Sequence, residues 1–168
     1  MLLIGYGNPG RVDDGLGPAF AQAFEELHLP DLEVESDYQL TVEDSATSAR
    51  HQVVVFADAS VDGSEPYFIR ELEPGGHLGF SSHSVAPETL LDLAHSLFGA
   101  QTRGFVVGIR GYKFNEFAEE LSAKARENLS AAVRELEPLF RAGSFATGGA
   151  TCLKGQPSNA ETVRRNDA

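Results

Sequence analysis

The strongest constraint on the fold is a short, continuous apolar run in the middle of the chain. Residues 52–58 read QVVVFAD, so branched and aromatic side chains follow one another without the polar alternation of a half-exposed strand. Such a run is typical of a strand that is covered on both faces, as in a parallel sheet lined by helices. The rest of the chain is therefore expected to supply further strands and two helical layers.

The sequence on either side of this run alternates between strand and helix patterns. The other predicted strands are Met1–Gly5, Asp31–Asp37, Tyr67–Leu72 at an edge of the sheet, and Gly104–Ile109. The predicted helices are Pro18–Leu29, Thr41–Arg50, Pro87–Phe98 and Glu116–Leu139. This alternation predicts an α/β protein, a three-layer sandwich in which a twisted, mostly parallel five-stranded sheet has helices on both faces.

The predicted elements form one domain, residues 1–140. From Arg141 onward the sequence is rich in Gly, Ala, Ser and Thr and shows no apolar period, so residues 141–168 are expected to be a poorly ordered polar tail. This tail carries a net charge of +2, which leaves −14 on residues 1–140.

Charge and composition exclude several classes of function. A body this acidic repels phosphate backbones, so nucleic-acid binding is not expected. The chain has no apolar run of the roughly 20 residues that span a membrane, and its first residues resemble a strand rather than a signal peptide. Its single cysteine, Cys152, excludes an internal disulfide and a thiolate-rich metal site. We expect a cytoplasmic protein and a monomer.

The loop after the first strand contains a familiar glycine pattern in an unusual setting. Gly5, Gly7 and Gly10 spell G-x-G-x-x-G, which in dinucleotide-binding proteins cradles a pyrophosphate. Here Asp13 and Asp14 follow closely and would place two negative charges near the phosphates. The match is therefore literal but poor in context, and a nucleotide-binding Rossmann-type protein remains an alternative.

Three side chains of metal-ligand type are expected to meet at one edge of the sheet. Asp14 follows the first strand, Asp58 ends the central strand, and His83 precedes the helix at Pro87. Ligands of open α/β sheets bind beyond the carboxyl ends of the strands, and two carboxylates with one imidazole suit a divalent cation such as nickel or zinc. Structural roles stay open, because Asp58 could form a turn and either Asp14 or Asp13 could complement a helix dipole.

The order of these motifs resembles that of the hydrogenase maturation proteases. The sequence GYGN at 5–8 with DDGLGP at 13–18 resembles the N-terminal signature of that family. The strand that ends in Asp58-Ala59, the segment Ser82-His83-Ser84, and VVGI at 106–109 before a long helix resemble its later motifs, in the same order. The resemblance covers about residues 1–140.

The resemblance implies an endopeptidase that removes the C-terminal extension of a [NiFe] hydrogenase large-subunit precursor after nickel insertion. It also implies that Asp14, Asp58 and His83 contact nickel, which the bound precursor supplies, and that these residues form the catalytic site. Two roles remain open for the reaction. The ion could activate the attacking water, or Asp14 or Asp58 could act as general base. A non-catalytic, nickel-sensing chaperone of the same precursor is a further alternative.

Overall fold

A five-stranded sheet forms the centre of the computed structural model, which describes residues 1–73, 85–143 and 145. The strands are β1 (Leu2–Tyr6), β2 (Glu33–Asp37), β3 (Val53–Ser60), β4 (Tyr67–Glu71) and β5 (Arg103–Arg110). The helices are α1 (Leu16–Glu26), α2 (Asp44–Ser48), α3 (Pro87–Phe98) and α4 (Ala123–Ala142), and a short 3₁₀ turn (Val12–Gly15) precedes α1.

The order of the strands confirms the predicted sheet. They lie in the order β2-β1-β3-β5-β4. All neighbours pair in parallel except β4, which runs antiparallel to β5 at the edge. Such an antiparallel edge strand on an otherwise parallel sheet is common in doubly wound folds.

Helices cover both faces of the sheet, as the apolar run in β3 requires. Val53 and Val55 belong to the core cluster that contains the inner faces of α1 and α4. Val54 and Phe56 point the other way, into a second cluster with the apolar side of α3. The α2 helix packs beside α3 on this second face. The three-layer sandwich predicted from the sequence is therefore confirmed.

The final helix differs from its prediction at both ends. It begins at Ala123 rather than at residue 116, because Ser122 has extended backbone geometry and its hydroxyl accepts the N–H of Ala125 as an N-cap. It continues to Ala142, and the fully buried Phe145 packs against the core beyond it. The described fold thus extends past the predicted boundary at 140, and the remainder of the predicted tail, 146–168, lies outside the described residues.

The sheet reverses its strand order between β1 and β3. From β1 the chain continues to β2 on one side, and then crosses to β3 on the other side. In open α/β sheets the crevice beyond the carboxyl ends at such a switch point is the usual binding site.

No helix in the described part of the chain is both long and apolar enough to cross a membrane.

Candidate active site

Asp14 and Asp58 lie on the two sides of the switch point. Asp14 is part of the 3₁₀ turn that connects β1 to α1. Asp58 is the first residue of β3 beyond its pairing with β1, which ends at Gly5 and Ala57. Both side chains are half-buried, and the negative charge of Asp14 raises the pKa of Asp58. The structure therefore brings together two of the three predicted site residues, whereas His83 lies outside the described residues.

The environment of Asp58 favours its protonated form. Burial raises the pKa of Asp58 to about 6, and the neighbouring charge of Asp14 adds to this effect. The carboxylate accepts hydrogen bonds from the N–H of Ala59, at 2.7 Å, and from the hydroxyl of Tyr6, but these bonds compensate only in part. A carboxyl group with such a pKa can exchange a proton near neutral pH, which is typical of functional carboxylates.

Tyr6 is a site residue that the sequence analysis missed. It ends β1 on the face that Leu2 and Ile4 share with Phe56, and its hydroxyl donates to Asp58. Burial raises the pKa of Tyr6 well above its usual value, and the charge of Asp58 raises it further, so the hydroxyl keeps its proton. The alternation of Leu2, Ile4 and Tyr6 along β1 was the signal that could have placed this side chain beside Asp58.

Asp13 has a structural role that differs from that of its neighbour. It is fully buried, and its Oδ2 accepts hydrogen bonds from the N–H groups of Tyr112 (2.8 Å) and Lys113 (2.9 Å) and from the hydroxyl of Ser122 (2.8 Å). Its Oδ1 accepts the N–H of Ser122 at 2.7 Å. Burial alone would raise the pKa of Asp13, but these four bonds outweigh it and the pKa is lowered. Asp13 therefore ties distant parts of the chain together rather than serving as the dipole partner of a helix.

Asp14 is left far less occupied. Its Oδ2 accepts a single hydrogen bond, from the N–H of Asn8 at 3.1 Å, and the described part of the chain offers no hydrogen bond to Oδ1. The carboxylate is also partly open to solvent. Among the described residues, no group donates to one oxygen of Asp14, which makes that oxygen a candidate ligand atom.

The glycines of the loop are used for packing within the chain. Gly7 has a φ of +137°, and a side chain there would collide with the carbonyl oxygen of Asp14. A side chain at Gly5 would collide with the carbonyl oxygen of Gly17, where α1 crosses β1. The glycines therefore let the loop and α1 lie close to the strand, and no helix begins at Gly10, since α1 starts at Leu16. This geometry does not favour the nucleotide-binding alternative.

The site offers two oxygen ligands rather than a complete metal shell. Among the residues that the structure describes, no group of three or more His, Cys, Asp or Glu side chains is placed to hold a metal ion. The negative charge of Asp14 disfavours the ionised form of Asp58, so the two carboxylates repel each other. An incoming divalent cation would relieve this repulsion, so the donor set fits an ion that brings other ligands with it.

Comparison with known proteins identifies the fold. No family model and no curated protein matches the chain, but several solved structures do. The chain is similar to the [NiFe] hydrogenase maturation protease HycI from Thermococcus kodakarensis, with 21% identity and a TM-score of 0.66 over 83% of this chain and 91% of that one. It is also similar to the hydrogenase maturating endopeptidase HybD from E. coli, with 22% identity and a TM-score of 0.64 over 84% and 93%. A hydrogenase 2 maturation peptidase from a Thaumarchaeota archaeon gives 24% and 0.60 over 83% and 97%. The chain thus has the fold of these maturation proteases.

Proposed function

We propose that this chain is a hydrogenase maturation protease, a hydrolase that removes the C-terminal extension of a [NiFe] hydrogenase large-subunit precursor. The observation that supports this most is the pair of carboxylates, Asp14 and Asp58, at the switch point of a fold shared with proteins of that activity. A fold alone does not define a reaction, so the pair of side chains carries the argument.

We further propose that nickel takes part as a component of the substrate. The precursor brings the ion in its own ligands, and Asp14, Asp58 and His83 complete its coordination. The repulsion between these two carboxylates supports this arrangement, because each would gain from a positive charge between them. Cleavage then depends on nickel loading, and an empty precursor is left uncut.

Hydrolysis of the peptide bond requires a water molecule to lose a proton as it attacks the scissile carbonyl. The nickel ion would polarise that carbonyl or lower the pKa of the water. A carboxylate oxygen of the pair that does not contact the ion would accept the proton and return it to the leaving amine, and Tyr6 would hold Asp58 in place through its hydroxyl. We therefore assign ion contact and proton transfer to the pair of carboxylates, and we do not assign either role to one residue alone.

The test is incubation of the purified chain with nickel-loaded precursor, followed by intact-mass measurement. We expect loss of a C-terminal peptide with the wild type and a rate at least about 100-fold lower for Asp14→Ala, Asp58→Ala and His83→Ala. Asp31→Ala is the matched control, because Asp31 precedes β2 and so lies at the amino ends of the strands, away from Asp14 and Asp58. A precursor without nickel should remain intact.

Three results would change the assignment. A stable complex of unchanged mass would support the nickel-sensing chaperone. Near-normal cleavage by all three variants would remove the proposed site. Saturable binding of NAD in a thermal-shift assay, with no effect of nickel-loaded precursor, would support the nucleotide-binding alternative.

A further inference from the structure

The segment between β5 and α4 is fastened along the loop that carries Asp14. We call residues 111–122 the strap. The carboxylate of Asp13 binds both of its ends, Tyr112 and Lys113 at one and Ser122 at the other. In the middle, the carbonyl of Ala118 accepts the N–H of Val12 at 2.9 Å. The strap and the Asp14 loop are thus held in a fixed relation to each other.

The backbone at the point of contact is strained, which shows how firmly it is held. Val12 has a φ of +52°, in the left-handed region that a β-branched residue rarely adopts. Such strain persists only where surrounding contacts impose it, and it is concentrated at functional sites. Here the contacts come from the strap, through Ala118 to Val12 and through Lys113, whose carbonyl accepts the N–H of Asp13.

The outer side of the strap presents an aromatic residue to solvent. Residues 115–120 are all exposed, and Phe117 is 88% exposed, the highest value among the large apolar side chains described. Leaving a phenylalanine in water forgoes the free energy that burial of its apolar surface would provide. Both ends of the strap are bound to Asp13, which holds the segment that carries Phe117 at the surface.

The strap itself carries a net negative charge, and Arg11 lies beside it, where its backbone pairs with Ala118. The strap contains Glu116, Glu119 and Glu120 against a single cation, Lys113. Lys113 pairs with Glu116 at 3.5 Å, and Glu119 and Glu120 have no ion-pair partner in the described part of the chain. A partner that binds here would therefore present apolar surface bordered by lysine or arginine.

We propose that the strap is the docking surface by which the precursor is held beside Asp14, with Phe117 inserted into an apolar part of the precursor and Glu119 and Glu120 facing its basic residues. This inference rests on the proposed function and names the surface that selects its substrate. A second copy of this chain fits poorly, because it would bring a further net charge of −12 to an acidic surface.

The first test compares two exposed phenylalanines in the cleavage assay. Phe117→Ser should raise KM for the nickel-loaded precursor about tenfold and leave kcat within about twofold, since an exposed aromatic anchor contributes to binding and not to chemistry. Phe98→Ser is the matched control. Phe98 is 53% exposed at the end of α3, which lies towards the amino ends of the strands, so its loss should leave KM unchanged. Equal KM values for wild type and Phe117→Ser would overturn the proposal.

The second test reverses charge at two adjacent pairs of glutamates. Glu119→Lys with Glu120→Lys should raise KM at low salt, and the difference should shrink as salt is added. Glu25→Lys with Glu26→Lys is the control, because this exposed pair ends α1 and lies towards the amino ends of the strands, away from the strap. An equal effect of the two double variants would show that only the net charge matters, which contradicts a defined docking surface.

The remaining outcomes separate this proposal from the proposed function. If the wild type does not cleave the precursor, the proposed function fails, and direct titration of precursor with wild type and Phe117→Ser then decides the docking surface by whether Kd rises about tenfold. If Arg164→Glu with Arg165→Glu in the full chain lowers KM and removes the effect of Phe117→Ser, the strap is covered by the chain's own C-terminal residues and the proposal is wrong.

Discussion

Asp13 and Asp58 are two carboxylates of one site region with opposite electrostatics. Asp13 is fully buried, yet its pKa is lowered; Asp58 is partly open to solvent, yet its pKa is raised to about 6. Burial is the largest influence that raises the pKa of each group, and hydrogen bonds oppose it in both. What differs is the number of donors: four hydrogen bonds reach Asp13, whereas Asp58 has Ala59 and Tyr6 and faces the charge of Asp14.

The two carboxylates therefore have opposite effects on the stability of the fold: the charge of Asp13 raises it, and the charge of Asp58 lowers it. The ionised form of Asp13 is the form its surroundings favour, so its charge contributes to stability. The ionised form of Asp58 is disfavoured, so above its pKa that charge costs stability. Functional groups are commonly held at such a cost, because the ligand or substrate supplies the missing partner.

The largest expected effect comes from Asp13→Asn. Three donors converge on Oδ2 and one on Oδ1, so either orientation of an amide places an NH₂ group against N–H or O–H donors. We expect a loss of about 3–5 kcal/mol in the free energy of unfolding, measured by urea denaturation at pH 7. Because the pKa of Asp13 is lowered in the folded state, its contribution is present above the unfolded pKa and is lost as the pH falls through the folded pKa. A loss below about 1 kcal/mol would contradict the structural role.

The next effect has the opposite sign and concerns Asp58→Asn. Since the pKa of Asp58 rises from 3.8 to about 6 on folding, the folded state binds more protons between these values and stability falls as pH rises. Asparagine removes this penalty, so we expect the variant to be about 2–3 kcal/mol more stable than the wild type at pH 7.5 and equal to it near pH 4. Thermal unfolding at the two pH values provides the measurement. A variant less stable than wild type at pH 7.5 would show that Asp58 is as well satisfied as Asp13.

The sequence predicted those parts of the fold that depend on local pattern. The α3 helix was predicted with both ends correct, because Pro87 suits a first turn and Gly99, which has a left-handed conformation, follows its last residue. The start of α4 was missed because residues 116–121 have helical spacing but belong to the strap, whose bonds to Asp13 join residues about 100 positions apart. Local periodicity contains no information about such contacts.

The same distinction applies to the site. The positions of Asp14 and Asp58 could be predicted because the ends of parallel strands share one edge of the sheet. The difference between Asp13 and Asp14 could not be predicted, because it depends on which of two adjacent carboxylates meets the strap. His83 was predicted from its place before the helix at Pro87 and then from the resemblance, and it stays a prediction.

A smaller effect is expected for Ser122→Ala. The substitution removes the N-cap of α4 and one of the bonds to Asp13, but it leaves the N–H of residue 122 in place. We expect a loss of about 1–2 kcal/mol in the free energy of unfolding. Ser130→Ala on the same helix is the control, because the hydroxyl of Ser130 is exposed and bonds the carbonyl of Arg126 within the helix, so it should be dispensable. If the two variants have the same free energy of unfolding, the hydroxyl of Ser122 does not stabilise the fold through Asp13 or the helix cap.

The smallest expected effect on stability belongs to Asp14→Asn, although this residue is adjacent to Asp13. The amide keeps an oxygen for the N–H of Asn8, and the loss of charge near the start of α1 is offset by relief of the repulsion with Asp58. We therefore expect a change within about 0.5 kcal/mol together with loss of precursor cleavage, and the pKa of Asp58, followed by carbon NMR of its carboxyl group, should fall. A destabilisation comparable to that of Asp13→Asn would mean that both carboxylates support the fold. A retained cleavage rate would mean that Asp58 functions without the charge beside it.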